Sequence, residues 1–531
     1  MTSFAPRGYA TVSVSHTSAV APGTSPLARA QAAVKARNFA EAAKWFEKAC
    51  QEHPDDAQTQ AWLGQSLSSI GRRDEGIAHL REAGRGLLKD ARETGNINLV
   101  LEVAGQLQHW SDFPGALELL SAAVQINPHE FRGYQLLAVT FAQLNQKAEA
   151  LVAGEQALKL SPENNMMQVF QGSLEADAGK SEVARERLQR VLATQPNARE
   201  AFRAHKELAR VLDKLGVYCQ VFSHLHASGN LSRSLPEYAQ QDASLIPNML
   251  KANRAGFDRQ LLSRWAGTEF PLDQPAPNFV LGFMRSGTTL TQEVLDAHPD
   301  VFVADEIDFV SAMKRELHER DRSNISTAEK LSRLDLPGVL HLREFYWKRV
   351  RERFGDAIEQ RLFVDKFTMN TVDLGLINCV FPDAKVVFVM RDPRDVCLSC
   401  FMQLMVPTPT TVQLLSWEGT AKFYAEVMEW WMYIKQQMTL QFIEFRYEDV
   451  VSDFEQTYRK VFDFLGITWD AAVVDFHKSA ARKFIATPSR SQVTQPLYAS
   501  SVAKWRCFES DFAPINGVLA PYIRAFNYHF S

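Results

Sequence analysis

Asn278-Phe-Val-Leu-Gly-Phe-Met-Arg-Ser-Gly-Thr-Thr-Leu-Thr-Gln-Glu-Val-Leu-Asp-Ala-His-Pro299 decides the fold. Phe279–Phe283 is a compact apolar run that predicts a buried strand, and Thr289–Ala297 reads as an amphipathic helix. Between them lies Gly282-Phe-Met-Arg285-Ser286-Gly287-Thr288-Thr289. A strand, a glycine-flanked loop and a helix start form an anion cradle, because backbone N–H groups and the positive end of the helix dipole converge there. The glycine spacing is that of the Walker A loop, yet Thr288 stands where that loop needs its lysine. Transfer of a γ-phosphoryl group is therefore disfavoured. The positive charge sits within the loop instead, at Arg285.

A second strand, Lys385–Met390, runs into Arg391-Asp-Pro-Arg-Asp395 and then a helix carrying Ser399. Arg391 falls at the strand's carboxyl end, where open parallel sheets bind ligands. Arg391 and Ser399 are expected to clamp a second phosphate. Short β-branched and aromatic runs alternate with helical patterns from Pro275 onward, predicting an α/β parallel-sheet domain over 271–531.

These motifs resemble the cosubstrate motifs of sulfotransferases that use 3′-phosphoadenosine 5′-phosphosulfate (PAPS), and the tyrosylprotein sulfotransferase type most of all. Ala304-Asp-Glu306 resembles that type's catalytic Glu segment, Phe363-Val-Asp-Lys366 its catalytic Lys segment, and Glu444-Phe-Arg-Tyr447-Glu-Asp449 its Tyr-Glu segment. Ser489-Arg-Ser-Gln492 through Lys504-Trp505 resembles its late cosubstrate loop. The resemblance spans about residues 275–525. It implies PAPS as cosubstrate without a metal, and an acceptor hydroxyl, on a protein tyrosine if the likeness extends to substrate. Glu306 would be the general base, with Asp305 as the alternative. Lys366, Arg285 and Ser489 would carry charge at the breaking bond. Arg285, Ser286, Gly287, Thr288, Thr289, Arg391, Ser399, Tyr447 and Lys504 would bind the nucleotide. One departure is Gln403, where the family often has a second basic residue. A competing reading makes Glu306 a helix N-terminal acid and Lys366 a surface charge. The rival functions are a saccharide or small-molecule sulfotransferase, a nucleotide kinase-like enzyme, and a catalytically dead adaptor.

Other chemistry weighs less. Cys397 and Cys400 have no second cysteine pair or histidine cluster nearby, so core cysteines are expected rather than zinc ligands. His298 follows a helix end and reads as a terminal hydrogen-bonding residue, and the aromatic run 423–434 reads as core. Arg394 and Asp395 read as turn and helix-start residues.

Ahead of this domain the pattern is alanine-rich with a 3.6-residue period. Pro128, Pro162 and Pro196 recur every 34 residues, and Pro54 precedes Pro128 by two such periods plus six residues. Ala42, Ala116, Ala150 and Ala184 hold equivalent places, where a small side chain lets helices approach closely. This period and pattern resemble the tetratricopeptide repeat. They predict an all-α superhelix over 27–230, with the second unit at 61–83, the surplus after it, and 198–215 capping the stack. A disordered tail is expected over 1–26, and a helical connector over 231–270. Such arrays present concave surfaces, so a bound peptide or protein, or a homodimer, is expected.

The chain has 531 residues, too many for one ordinary core, and 46% of them are hydrophobic and 23% charged, which is ordinary for soluble multidomain proteins. A net charge of −4 gives no overall reason to bind nucleic acid or an anionic membrane. No apolar stretch approaches the roughly 18 residues of a membrane span. Six scattered cysteines suit a reducing compartment, and with no secretory signal pattern the expectation is a cytoplasmic enzyme.

Overall fold

The structure is a computed structural model that describes residues 25–482, 493–495, 497 and 500–529. The expected tail therefore lies, as far as residue 24, outside the described residues. The chain divides into two compact units that meet in sequence at Gly216 and Val217. That division falls ahead of residue 230, where the periodicity placed the array's end. The helices Val221–Ser232, Leu245–Gly256 and Arg259–Leu262 belong to the second unit.

Among the described residues, the first unit is five helix pairs and a final helix. The pairs are α1 (Pro26–Lys35) with α2 (Phe39–Glu52), α3 (Ala57–Ser69) with α4 (Arg73–Thr94), and α5 (Asn98–His109) with α6 (Phe113–Ile126). Then come α7 (Phe131–Gln143) with α8 (Lys147–Leu160), α9 (Asn165–Asp177) with α10 (Ser181–Ala193), and α11 (Ala198–Lys214). Each pair turns through one residue of positive φ: Arg37, Gly71, Ser111, Asn145 and Gly179. Those positions are 34 residues apart except between Gly71 and Ser111, where the six extra residues fall. The surplus is helical, since α4 has 22 residues where α2, α6 and α8 have 14. Ala42, Ala116, Ala150 and Ala184 are all 0% exposed, as close helix approach requires. Pro54, Pro128 and Pro162 each follow a helix C-cap residue directly, and Pro196 comes two residues after one. There the missing N–H and fixed φ stop further helix.

Among the described residues, the second unit is built on a five-stranded sheet: β1 (Asn278–Gly282), β2 (Val301–Asp305), β3 (Leu362–Lys366), β4 (Lys385–Met390) and β5 (Gln441–Arg446). The spatial order is β2-β3-β1-β4-β5, and every pairing is parallel. Both faces are covered, which is why the inner strands read as continuous apolar runs. Val280, Val387, Val389 and Phe445 join a core with Leu290 and Val294 of helix Thr288–Asp296 and with Tyr458 and Phe462 of helix Phe454–Leu465. From β4's other face Phe388 stacks on Trp431 of helix Trp417–Gln437, with ring centroids 3.7 Å apart. That helix buries Phe423, Tyr424, Trp430 and Trp431, so the aromatic run is core. Cys397 and Cys400 are also fully buried, and His298 bonds to the backbone of Thr468 and Asp300. No helix among the described residues is long and apolar enough to cross a membrane.

Candidate active site at the carboxyl edge of the sheet

Because the strands are parallel, all their carboxyl ends reach one edge. β1 lies between β3 and β4, so the chain leaves it in opposite directions on its two sides. A crevice opens at such a switch point. The loop after β1 forms its floor. Gly287 has φ +109°, and a Cβ there would lie 2.9 Å from Cδ2 of Tyr447, so only glycine lets that ring close over the loop. Arg285, though not glycine, has φ +68°. Such conformations persist where surrounding structure enforces them, commonly at ligand sites. Ser286 is 2% exposed and its Oγ has no hydrogen-bond partner. Thr288, at the Walker lysine position, is buried and its hydroxyl meets that of Thr368 at 2.9 Å.

Around this loop Arg285, Arg391, Ser399 and Tyr447 form one cluster. Arg285 Nε donates to Ser399 Oγ at 3.0 Å. Arg391 donates to the Arg285 carbonyl at 3.2 Å and to the Ser501 carbonyl at 2.6 Å. Its guanidinium lies 4.8 Å from the Tyr447 ring centre, and the Tyr447 hydroxyl meets Ser501 Oγ at 2.9 Å. Arg285, Arg391 and Tyr447 line a pocket whose apolar side includes Leu290, Phe476 and Leu497. Ser399 thus bonds Arg285 rather than reaching Arg391 directly. Lys504 opens the helical turn Lys504–Phe512 and is not among the residues lining that pocket. Ser489 lies outside the described residues. Gln403 ends helix Pro393–Met402, and its amide donates to the Leu404 carbonyl at 3.4 Å.

The second half of the site stands on β2 and β3. Their register pairs Asp305 with Lys366, and the Glu306 N–H donates to the Lys366 carbonyl at 2.9 Å. Lys366 Nζ bonds Glu306 Oε1 and lies 3.6 Å from Asp305 Oδ1. Lys366 is 0% exposed, which removes the surface-charge reading, whereas the Glu306 carboxylate retains access to solvent. Glu306 also has positive φ, at 51°. Its turn therefore aims the carboxylate back at Lys366 instead of starting a helix.

Behind this pair is a carboxyl the motif reading passed over. Asp365 is fully buried and accepts a 2.8 Å hydrogen bond from the Tyr346 hydroxyl. Burial pushes its carboxyl from 3.8 up to about 7, with Glu306 and Asp308 adding to the rise and the Tyr346 hydrogen bond opposing it. The folded protein thus keeps a proton that the unfolded chain releases, and stability falls as pH rises between about 4 and 7. The decline is at most about 1.4 kcal/mol per pH unit. Asp365→Asn is expected to flatten this part of the melting temperature against pH profile. An unchanged slope would contradict the assignment.

Arg391 is held in turn by its neighbours. The Asp392 N–H donates to Glu448 Oε1 at 3.0 Å, and Arg394 forms a bidentate pair with Asp392. Asp395 accepts from the Trp505 N–H at 2.8 Å. Burial raises its carboxyl to about 6 against the opposing pull of Arg391. Arg394 and Asp395 thus hold the turn and helix start, as their sequence positions suggested.

Residues 277–471 match the family model described as the sulfotransferase family. The α/β unit is a sulfotransferase-family domain. Residues 27–86 and 131–164 match tetratricopeptide repeat models, so repeats precede the sulfotransferase domain. An uncharacterized protein of Aquifex aeolicus (strain VF5) is 26% identical over 413 residues, covering 76% of this chain and 52% of that protein. Protein-tyrosine sulfotransferase 1 of Danio rerio is 26% identical over 244 residues, 43% of this chain and 64% of that protein. The chain thus spans between half and two thirds of these relatives. Among solved structures, the sulfotransferase domain from the curacin biosynthetic pathway aligns with 48% of this chain and 99% of its own, at 18% identity and a TM-score of 0.35.

Proposed function

We propose that the sulfotransferase domain moves a sulfuryl group from PAPS to an acceptor hydroxyl, on a protein tyrosine, and that the repeats hold the acceptor polypeptide. The observation that carries this reading is the pairing of two cationic sites, Arg285 and Arg391, with a Glu306–Lys366 pair on neighbouring strand ends of one sheet edge. The residues fit the cosubstrate: Ser286 Oγ is a buried, unpartnered hydroxyl in an N–H-rich loop, and a glycine keeps the loop open to Tyr447.

Arg285, Ser286, Gly287, Thr288 and Thr289 would hold the 5′-phosphate side, and Arg391 with Ser399 the 3′-phosphate. Tyr447, Phe476 and Leu497 offer apolar surface for the adenine ring. The cosubstrate supplies the sulfuryl group: its S–O bond to the 5′-phosphate breaks as the acceptor oxygen bonds to sulfur, releasing 3′-phosphoadenosine 5′-phosphate. Glu306 takes the acceptor's proton. Lys366, positioned in advance by burial and by Asp305, offsets negative charge on the departing oxygen. Ser489 and Lys504 belong to this proposal through their place in the late loop motif alone. Thr288, committed to Thr368, leaves no cation for an ATP γ-phosphate, which argues against the kinase reading. All six cysteines are unpaired, in keeping with a cytoplasmic setting.

Tyrosine as acceptor is supported by the protein-tyrosine sulfotransferases among the relatives. Sulfur-radiolabelled PAPS, offered with a tyrosine peptide, a saccharide and a simple alcohol, tests it. Label in the peptide supports the reading. Label in the saccharide or the alcohol alone overturns the tyrosine assignment, and label in none overturns the transferase.

A further inference from the structure

We propose that the groove between α3 and α5 binds a lysine or arginine side chain of a polypeptide partner, with Glu102 as its counter-charge. The inference rests on the reading that the repeats hold a polypeptide. The first helices of the second and third repeats form its walls, and α4 lies behind. Leu80, Leu87, Leu99 and Val103 give it apolar sides, and Gln58, Gln65 and Gln106 give it amides. Leu99 is 36% exposed although it is a large aliphatic residue. Glu102 lines the same space, and its Oε2 is buried without a hydrogen-bond partner.

A buried carboxylate oxygen without a partner is costly, and burial accordingly pushes the Glu102 carboxyl upward, opposed by Arg132 at the start of α7. Glu102 and Arg132 make no ion pair among the described residues, and no cationic side chain lines the groove. The surroundings match a long basic side chain part by part. Its methylene stem suits the leucine and valine walls. Its charged head meets Glu102, with the Trp62 ring, also lining the groove, available to the cation. The glutamine amides can pair with the peptide backbone on either side. An acidic or anionic partner would be repelled by Glu102.

The occupant also accounts for a feature that weakens the free protein. A carboxylate costs more here than its neutral isostere, so Glu102→Gln should leave the melting temperature unchanged or higher. The test uses the full-length protein and three fluorescein-labelled decapeptide pools that differ only at the central residue: lysine, norleucine (the same stem without the charge) or glutamate. Fluorescence anisotropy is expected to show the lysine pool binding about tenfold more tightly than the norleucine pool, roughly 1.4 kcal/mol. The glutamate pool should bind most weakly. Glu102→Gln should erase the lysine preference without lowering the melting temperature. Equal binding of the lysine and norleucine pools would overturn the cation site while leaving the repeats as a peptide groove. So would a preference that survives Glu102→Gln. A lower melting temperature for that variant would make Glu102 a folding residue and overturn it too. Binding of no pool would overturn the peptide reading of the repeats itself.

Discussion

Glu306→Gln is expected to slow sulfuryl transfer by about 10²–10⁴-fold, the usual contribution of a positioned general base. The glutamine keeps the side chain's size and can still accept from Lys366 Nζ, so the buried lysine does not lose its partner. What it loses is the ability to take a proton. Because Glu306 stands on the β2 end and Arg391 on the β4 end, nucleotide affinity should stay within about twofold, as expected for a residue that acts on the transition state rather than on binding. Asp305 lies 3.6 Å from the same ammonium, and retained activity in Glu306→Gln would move the base to it. Single-turnover rates with saturating PAPS separate the two assignments.

Arg391→Ala is expected to weaken 3′-phosphoadenosine 5′-phosphate by about 10–150-fold, the loss of one strong charged hydrogen-bonding site worth roughly 1.5–3 kcal/mol. The guanidinium holds the Arg285 and Ser501 carbonyls while lying against Tyr447, so the variant also loosens the late loop around Ser501. Arg391→Lys should recover only part of the affinity, because an ammonium cannot reproduce the planar fork that spans two carbonyls. Residual binding of ATP, which has no 3′-phosphate, should fall less than that of the bisphosphate in both variants. Calorimetric titration reads all of these. Undiminished bisphosphate affinity in Arg391→Ala would remove this residue from the site.

The parts of this molecule legible in sequence are those written in contiguous residues. The loop 282–289 lies in one stretch, and the 34-residue period fixed both the repeats and the place of their surplus. What joins distant stretches was harder to read. Ser399 is bound by Arg285 across 114 residues, and no spacing within the RDPRD segment shows that. Phe476 reaches the pocket from a segment without a motif. Asp365 was overlooked beside Lys366 because FVDK advertises its lysine. Both side chains are 0% exposed, and only the fold reveals that the aspartate pairs with Tyr346. Glu102 was invisible for another reason: a glutamate on an amphipathic helix looks solvated until the groove around it is seen.

Thermal unfolding of the purified protein with 3′-phosphoadenosine 5′-phosphate, beside adenosine 5′-phosphosulfate and ATP with magnesium, tests the two-anion site without any choice of acceptor. At about 100 times its Kd a ligand adds roughly 2.7 kcal/mol to the state that binds it. The bisphosphate is expected to raise the melting temperature by several degrees. Adenosine 5′-phosphosulfate, lacking the 3′-phosphate, should raise it less, and ATP with magnesium least. A shift with ATP and magnesium that equals or exceeds the bisphosphate's would contradict a sulfotransferase site at this sheet edge.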